Sequence, residues 1–263
     1  RVKEKITRHR VQKVAEDVWN YSLDKWGLEF SDESRENLVR ANELLKTNSL
    51  VFYINHTSTF PDVVLPTSMV MAYMPNAKRR LAPVAERHYS WRRDPLNAMA
   101  LRLIGSVGGI DLFPVVQSER LDEKAAKYSP FEKQVKTDRV VEVMKNIVVN
   151  PGAVFGIAPE ATRTNGQLIK GARGLGMFSR YDREGKLRYS HLAIAMGQFH
   201  NEQPRVVFGE PLALHEIFER INVKFDSIKD PRERIQQITD VHMLRLAQDL
   251  PEEMKGYYGE VKD

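Results

Sequence analysis

From residue 50 onwards, short apolar runs of strand length alternate with longer stretches of helical periodicity, and that alternation admits few folds. The runs at 50–55, 81–85, 108–113, 153–158, 191–196 and 205–208 predict strands. Helices are predicted near 62–74, 95–104, 138–149, 172–180 and 229–249. Together they predict an α/β fold: a mixed, largely parallel sheet flanked by helices. Pro66 is expected to bend or shorten the helix in which it falls. The polar, charged stretch 117–137 predicts a surface excursion, and the end beyond Pro251 is expected to fray.

Ahead of this alternation lies a helical pair. Val2, Ile6, Val14, Val18 and Trp19 recur at roughly helical spacing, and Gly27 suits a left-handed helix end after Trp26. A second helix is predicted from a Ser31 N-cap to about Lys46. The pair either caps the core or clamps lipid, and the sequence leaves both open. Two units are therefore expected, a two-helix segment over 1–47 and an α/β domain over 48–263.

Composition sets limits on the chemistry. Without cysteine, disulfides, thiolate catalysis and cysteine-ligated metals are excluded. The seven histidines are scattered with no His-x3-His pair, so no metal is expected. A net charge of +5 and a pI near 9.3 favour anionic partners such as membrane surfaces or phosphate esters. No nucleic-acid recognition pattern accompanies the charge, and nucleic acid is not expected as a partner. No apolar run approaches the roughly 18–20 residues that span a bilayer. The opening Arg1-Val2-Lys3-Glu4-Lys5 lacks a signal-peptide apolar region, and the missing Met suggests a start inside a longer chain.

Two segments carry the chemistry. Leu50-Val51-Phe52-Tyr53-Ile54 runs as a strand into Asn55-His56, then hydroxyl residues, then Pro61-Asp62. A histidine at a strand end can take and return a proton near neutral pH, and a carboxylate can orient it. About a hundred residues later, Val154-Phe155-Gly156-Ile157-Ala158-Pro159 leads into Glu160-Ala161-Thr162-Arg163-Thr164, with a carboxylate and a guanidinium three residues apart. Ile169-Lys170-Gly171-Ala172-Arg173 and Phe208-Gly209-Glu210-Pro211-Leu212 follow.

In order, separation and strand-to-loop context, these segments resemble the PlsC-type glycerolipid acyltransferases. That family carries Asn-His-x4-Asp, Phe-Pro-Glu-Gly-Thr-Arg-Ser, a Lys-Gly-Ala helix start and a late Gly-(Glu/Lys)-Pro turn. The resemblance covers about residues 48–214. It implies a fatty acyl transfer from acyl-CoA or acyl-carrier protein to a hydroxyl of lysophosphatidate or a related lipid. His56 would be the base and Asp62 its orienter. Glu160, Thr162 and Arg163 would bind the acceptor, with Lys170 and Arg173 adding charge for phosphates. Backbone amides near the motif turns would stabilise the oxyanion. No cofactor beyond the thioester cosubstrate is implied, and the expected setting is cytoplasmic and peripheral to a membrane.

The sequence also departs from the family. Five residues, not four, separate His56 from Asp62. On a continuous helix that offset sets them about 120° and about 9 Å apart, so only a loop pairs them. Ala161 stands where the family has glycine, and Val115 where it has an arginine. These differences keep open a non-glycerophosphate acceptor, or a lipid-binding protein without turnover. Residues 78–93, with Lys78-Arg79-Arg80, Arg87-His88 and Arg92-Arg93 near Tyr89 and Trp91, fit an anionic membrane interface, an acidic carrier protein or a solvated face. Val63, Val64, Leu65, Met69, Val70, Met71 and Met74 read as core, with an acyl-chain tunnel the alternative.

Overall fold

The computed structural model describes residues 2–27, 29–56, 68–85, 95–115, 151–160, 164, 166–178, 189–197, 205–222 and 230–259. Helices α1 (Val2–Trp26) and α2 (Asp32–Leu44) come first, then β1 (Ser49–Ile54), α3 (68–73) and β2 (Arg79–Ala85). Next come α4 (Pro95–Gly108), β3 (Ile110–Val115), β4 (Ala153–Ile157), α5 (Gly174–Phe178), β5 (Tyr189–Gly197) and β6 (Arg205–Phe208). The chain closes with α6 (Leu214–Arg220), α7 (Pro231–Gln248) and two 3-10 turns, Glu252–Met254 and Gly256–Tyr258.

Six strands form one sheet in the order β3-β2-β4-β1-β5-β6. All neighbouring pairs are parallel except β5 with β6, which is the mixed, largely parallel arrangement expected. Strand side chains alternate between faces, and both faces are covered. Val51, Tyr53, Leu81, Phe113 and Phe155 pack under α5, α7 and the C-terminal turns. Leu50, Phe52, Ile54 and Val154 face the other way, onto Trp19 of α1, Leu38 and Ala41 of α2, and Met69 and Val70 of α3. Of the methionine-rich stretch, Met69, Val70 and Met74 are core, with Met69 and Met74 fully buried, while Met71 is half-buried. Its first part, Val63 to Leu65, lies outside the described residues, as do Pro66, 117–137 and the predicted helix 138–149.

The helical pair is docked on the sheet. Trp19 meets Phe30, Tyr73 and Phe208 edge-on or tilted, with centroids 5.3–6.0 Å apart. The Asn37 side chain donates to the Phe208 carbonyl at 2.8 Å, and the Phe208 amide donates to Ser34 Oγ at 3.1 Å. Ser31 caps α2 as expected, accepting from the Ser34 amide, and Gly27 ends α1 with φ +58°. The inward face of α1 is Ala15, Trp19 and Ser22, whereas Val14 and Val18 point outwards.

Two expectations need correction. The chain does not fray from Pro251 to Gly259: Met254 and Tyr258 are buried, the Leu168 amide donates to the Met254 carbonyl, and the Tyr257 amide donates to the Leu168 carbonyl, both at 2.9 Å. Helix α6 was not expected, since seven residues display too few turns of periodicity to register. Leu214, Ile217 and Phe218 bury its inner side against Ile238 and Val241 of α7.

Candidate functional site

Strands β1 and β4 are neighbours, in register from Leu50↔Val154 to Tyr53↔Ile157. Yet the chain leaves them in opposite directions, from β1 to β2 on the far side of β4 and from β4 to β5 on the far side of β1. Their connections also take opposite faces, with α3 on one and α5 on the other. Such a divergence opens a crevice at the carboxyl ends of the strands, where open α/β sheets bind ligands. Asn55 and His56 follow β1 at that edge, and Pro159 and Glu160 follow β4.

The two loops are joined through the backbone of His56. Its amide donates to the carboxylate of Glu160 at 2.5 Å, and its carbonyl accepts from the Thr164 amide at 2.9 Å. The Thr164 hydroxyl reaches the same carbonyl at 3.4 Å. Glu160 is only 3% exposed, whereas His56 is half-buried, so the imidazole is the more accessible group of the pair. Glu160 is thus turned into the protein onto the histidine loop, a position suited to holding that loop. The amides of His56 and Thr164 already donate within the site, to the Glu160 carboxylate and the His56 carbonyl.

Lys170 and Arg173 are exposed. The Ala172 amide donates to the Pro159 carbonyl at 2.7 Å, tying this stretch to the Glu160 turn. The Lys170 ammonium sits 5.9 Å from the Tyr257 ring centroid, above a cleft of about 570 Å³ between Gln167–Lys170 and the C-terminal turns. Asp62, Thr162, Arg163 and Ala161 lie outside the described residues, and so does any pairing of His56 with Asp62. Among the described residues no three His, Asp or Glu side chains converge as a metal site.

A polar tract behind His56 was not foreseen. Tyr53, fully buried on β1, packs edge-on to buried His242 of α7 with centroids 5.0 Å apart. Burial pushes the Tyr53 hydroxyl's pKa up, and the positive charge of nearby Arg245 works the other way. The same Arg245 donates to the Glu210 carbonyl. Asp249, one turn further along, has its carboxyl raised by burial, with Arg245 opposing. The signal lay in α7 itself, whose Thr239, His242, Arg245 and Asp249 recur at helical spacing on one face. Glu210, in the late Gly-Glu-Pro turn, bridges Arg40 of α2 at 2.9 Å and Arg220 of α6 at 2.7 Å, and so serves as a clasp.

No model of a known protein family matches the sequence, and no curated protein is similar to it at a significant level.

Proposed function

We propose that the protein transfers a fatty acyl group from a thioester, acyl-CoA or acyl-carrier protein, to a hydroxyl of lysophosphatidate or a related glycerolipid. The observation behind this reading is His56 at the carboxyl end of a central strand, its loop held by the buried carboxylate of Glu160 at the point where the chain diverges. A half-buried imidazole on a fixed backbone is suited to general-base work, which needs the base within hydrogen-bond reach of one hydroxyl. His56 takes the proton of the acceptor hydroxyl as its oxygen attacks the thioester carbonyl. The carbon–sulfur bond breaks, and the thiolate leaves with that proton. Asp62 orients the imidazole, and Arg163 and Thr162 bind the acceptor's phosphate. Glu160 serves by holding the His56 loop, and Lys170 and Arg173 supply positive charge beside it. The protein works in the cytoplasm at a membrane surface.

An acceptor panel tests the substrate. Lysophosphatidate, lysophosphatidylcholine and a long-chain alcohol are each offered with a long-chain acyl-CoA and with an acyl-carrier protein, and acylated lipid is read by mass spectrometry. Product with lysophosphatidate above the other two supports the reading. Product with the alcohol alone replaces the acceptor, and no product with any pair overturns acyl transfer.

A further inference from the structure

The geometry points to α4 as the element by which the protein docks on an anionic lipid bilayer. Leu96, Met99 and Leu103 are 74%, 55% and 63% exposed, high values for large apolar side chains on consecutive turns. At 100° per residue they fall within a strip about 60° wide. The opposite side is the packed one: Ala98 is fully buried, and Gly105 lies against Leu112 of β3. The helix is thus seated on the sheet through Ala98 and Gly105 and turns Leu96, Met99 and Leu103 outwards. Single exposed leucines need no explanation, but a continuous strip does.

Charge selects the occupant. Helix α4 contains no acidic residue, and its one cation, Arg102, is exposed on the flank of the strip. Over residues 78–108 the sequence has seven lysines and arginines against two carboxylates, a surplus equal to the net charge of the whole chain, +5. In the sequence, Arg92 and Arg93 precede Pro95 by three and two residues. An apolar strip in a segment whose described residues hold Lys78, Arg79, Arg80 and Arg102 and no carboxylate fits an anionic bilayer, in which the strip enters the acyl boundary and the cations meet headgroups. An acidic carrier protein would call for cations at the centre of the face, and there the structure has leucine and methionine.

A second strip serves as an internal comparison. Val14, Val18 and Tyr21 of α1 are also exposed, but Asp17 and Asp24 stand beside them together with Lys25, whose ammonium lies over the Tyr21 ring, so that strip carries mixed charge rather than a cationic surplus. Helix α4 begins at the sheet edge that bears His56, since β2 runs parallel to β1 through β4 and ends there. Docking through α4 therefore sets that edge near the bilayer. The α4 strip faces outwards whether or not His56 is a base.

Flotation with vesicles tests it, separately from any turnover. The proteins are wild type, the pair Leu96→Ser with Leu103→Ser, and the pair Val14→Ser with Val18→Ser; the vesicles are phosphatidylcholine alone or mixed with phosphatidylglycerol. All four positions are exposed, and an unchanged thermal melt verifies folding. Wild type is expected to float with the anionic vesicles, less so in high salt, and to bind neutral ones weakly. The α4 pair is expected to lose at least about a hundredfold in partition, as two buried leucines would dictate, and the α1 pair to match wild type. Wild type that never floats, an α4 pair that floats like wild type, or an α1 pair that alone fails each overturns the proposal. An α4 pair that binds vesicles normally but loses turnover with an acyl-carrier-protein donor assigns the face to a protein partner and also overturns it.

Discussion

Glu160 and His56 stand 104 residues apart in the chain yet share a hydrogen bond, so the consequence of removing one can be read on the other. Glu160→Ala leaves the His56 amide without its acceptor in a part-buried turn, a loss of about 1–3 kcal/mol. Glu160→Gln keeps an oxygen that can accept and is expected to lie much closer to wild type, with urea denaturation separating the two. A merely acceptor-binding glutamate would leave both variants at wild-type stability. Asp249 makes a prediction of opposite sign. Its folded pKa is raised, so the folded state holds more protons than the unfolded state as pH passes from the ordinary aspartate value, about 3.9, up to the raised one. Stability contributed at this site therefore falls as pH rises through that window. Asp249→Asn is expected to be at least as stable as wild type at pH 7, with the difference closing on acidification below the window, measured by thermal melts across pH.

At the scale of elements, the C-terminal turns act as a clamp on the loop that follows the Glu160 motif. Tyr258 accepts from the Gly171 amide at 2.9 Å and donates to Asp240 of α7 at 2.7 Å, so one hydroxyl joins loop, helix and tail. Tyr258→Phe is expected to cost about 1–3 kcal/mol by leaving these groups unmatched, and to raise hydrogen exchange over 167–171. This clamp was illegible beforehand, because Pro251, two glutamates and Gly256 carry the composition of a frayed end. The strands read clearly for the opposite reason. Leu50–Ile54 and Ala153–Ile157 are buried on both faces, and such strands show as unbroken apolar runs. What a strand list lacks is strand order. That β4 lies beside β1, and so brings Glu160 to His56, depends on crossovers spanning a hundred residues, which no local pattern encodes. Likewise the face of α1 was misleading, since Val14 and Val18 set its periodicity while Ala15 and Trp19 do the packing.

For the whole molecule, the α/β architecture places two layers of helices around one sheet, and the helical pair belongs to one of those layers through Trp19, Leu38 and Leu45. Trp19→Ala opens the contact of α1 with Phe30, Tyr73 and Phe208 and is expected to cost about 3–5 kcal/mol, read from chemical denaturation. A helical pair that merely clamped lipid would leave the stability of the free protein nearly unchanged. The sheet in turn delivers one edge at which β1 and β4 end together, and the account as a whole rests on what His56 does there. Its most direct test is release of free thiol from a long-chain acyl-CoA, with and without lysophosphatidate, by wild type and His56→Ala at matched folding. Acceptor-dependent release in wild type that drops at least about a hundredfold in the variant is the predicted result, the loss expected on removing a general base. Equal release by the two proteins, or none by wild type with any acceptor, would contradict it.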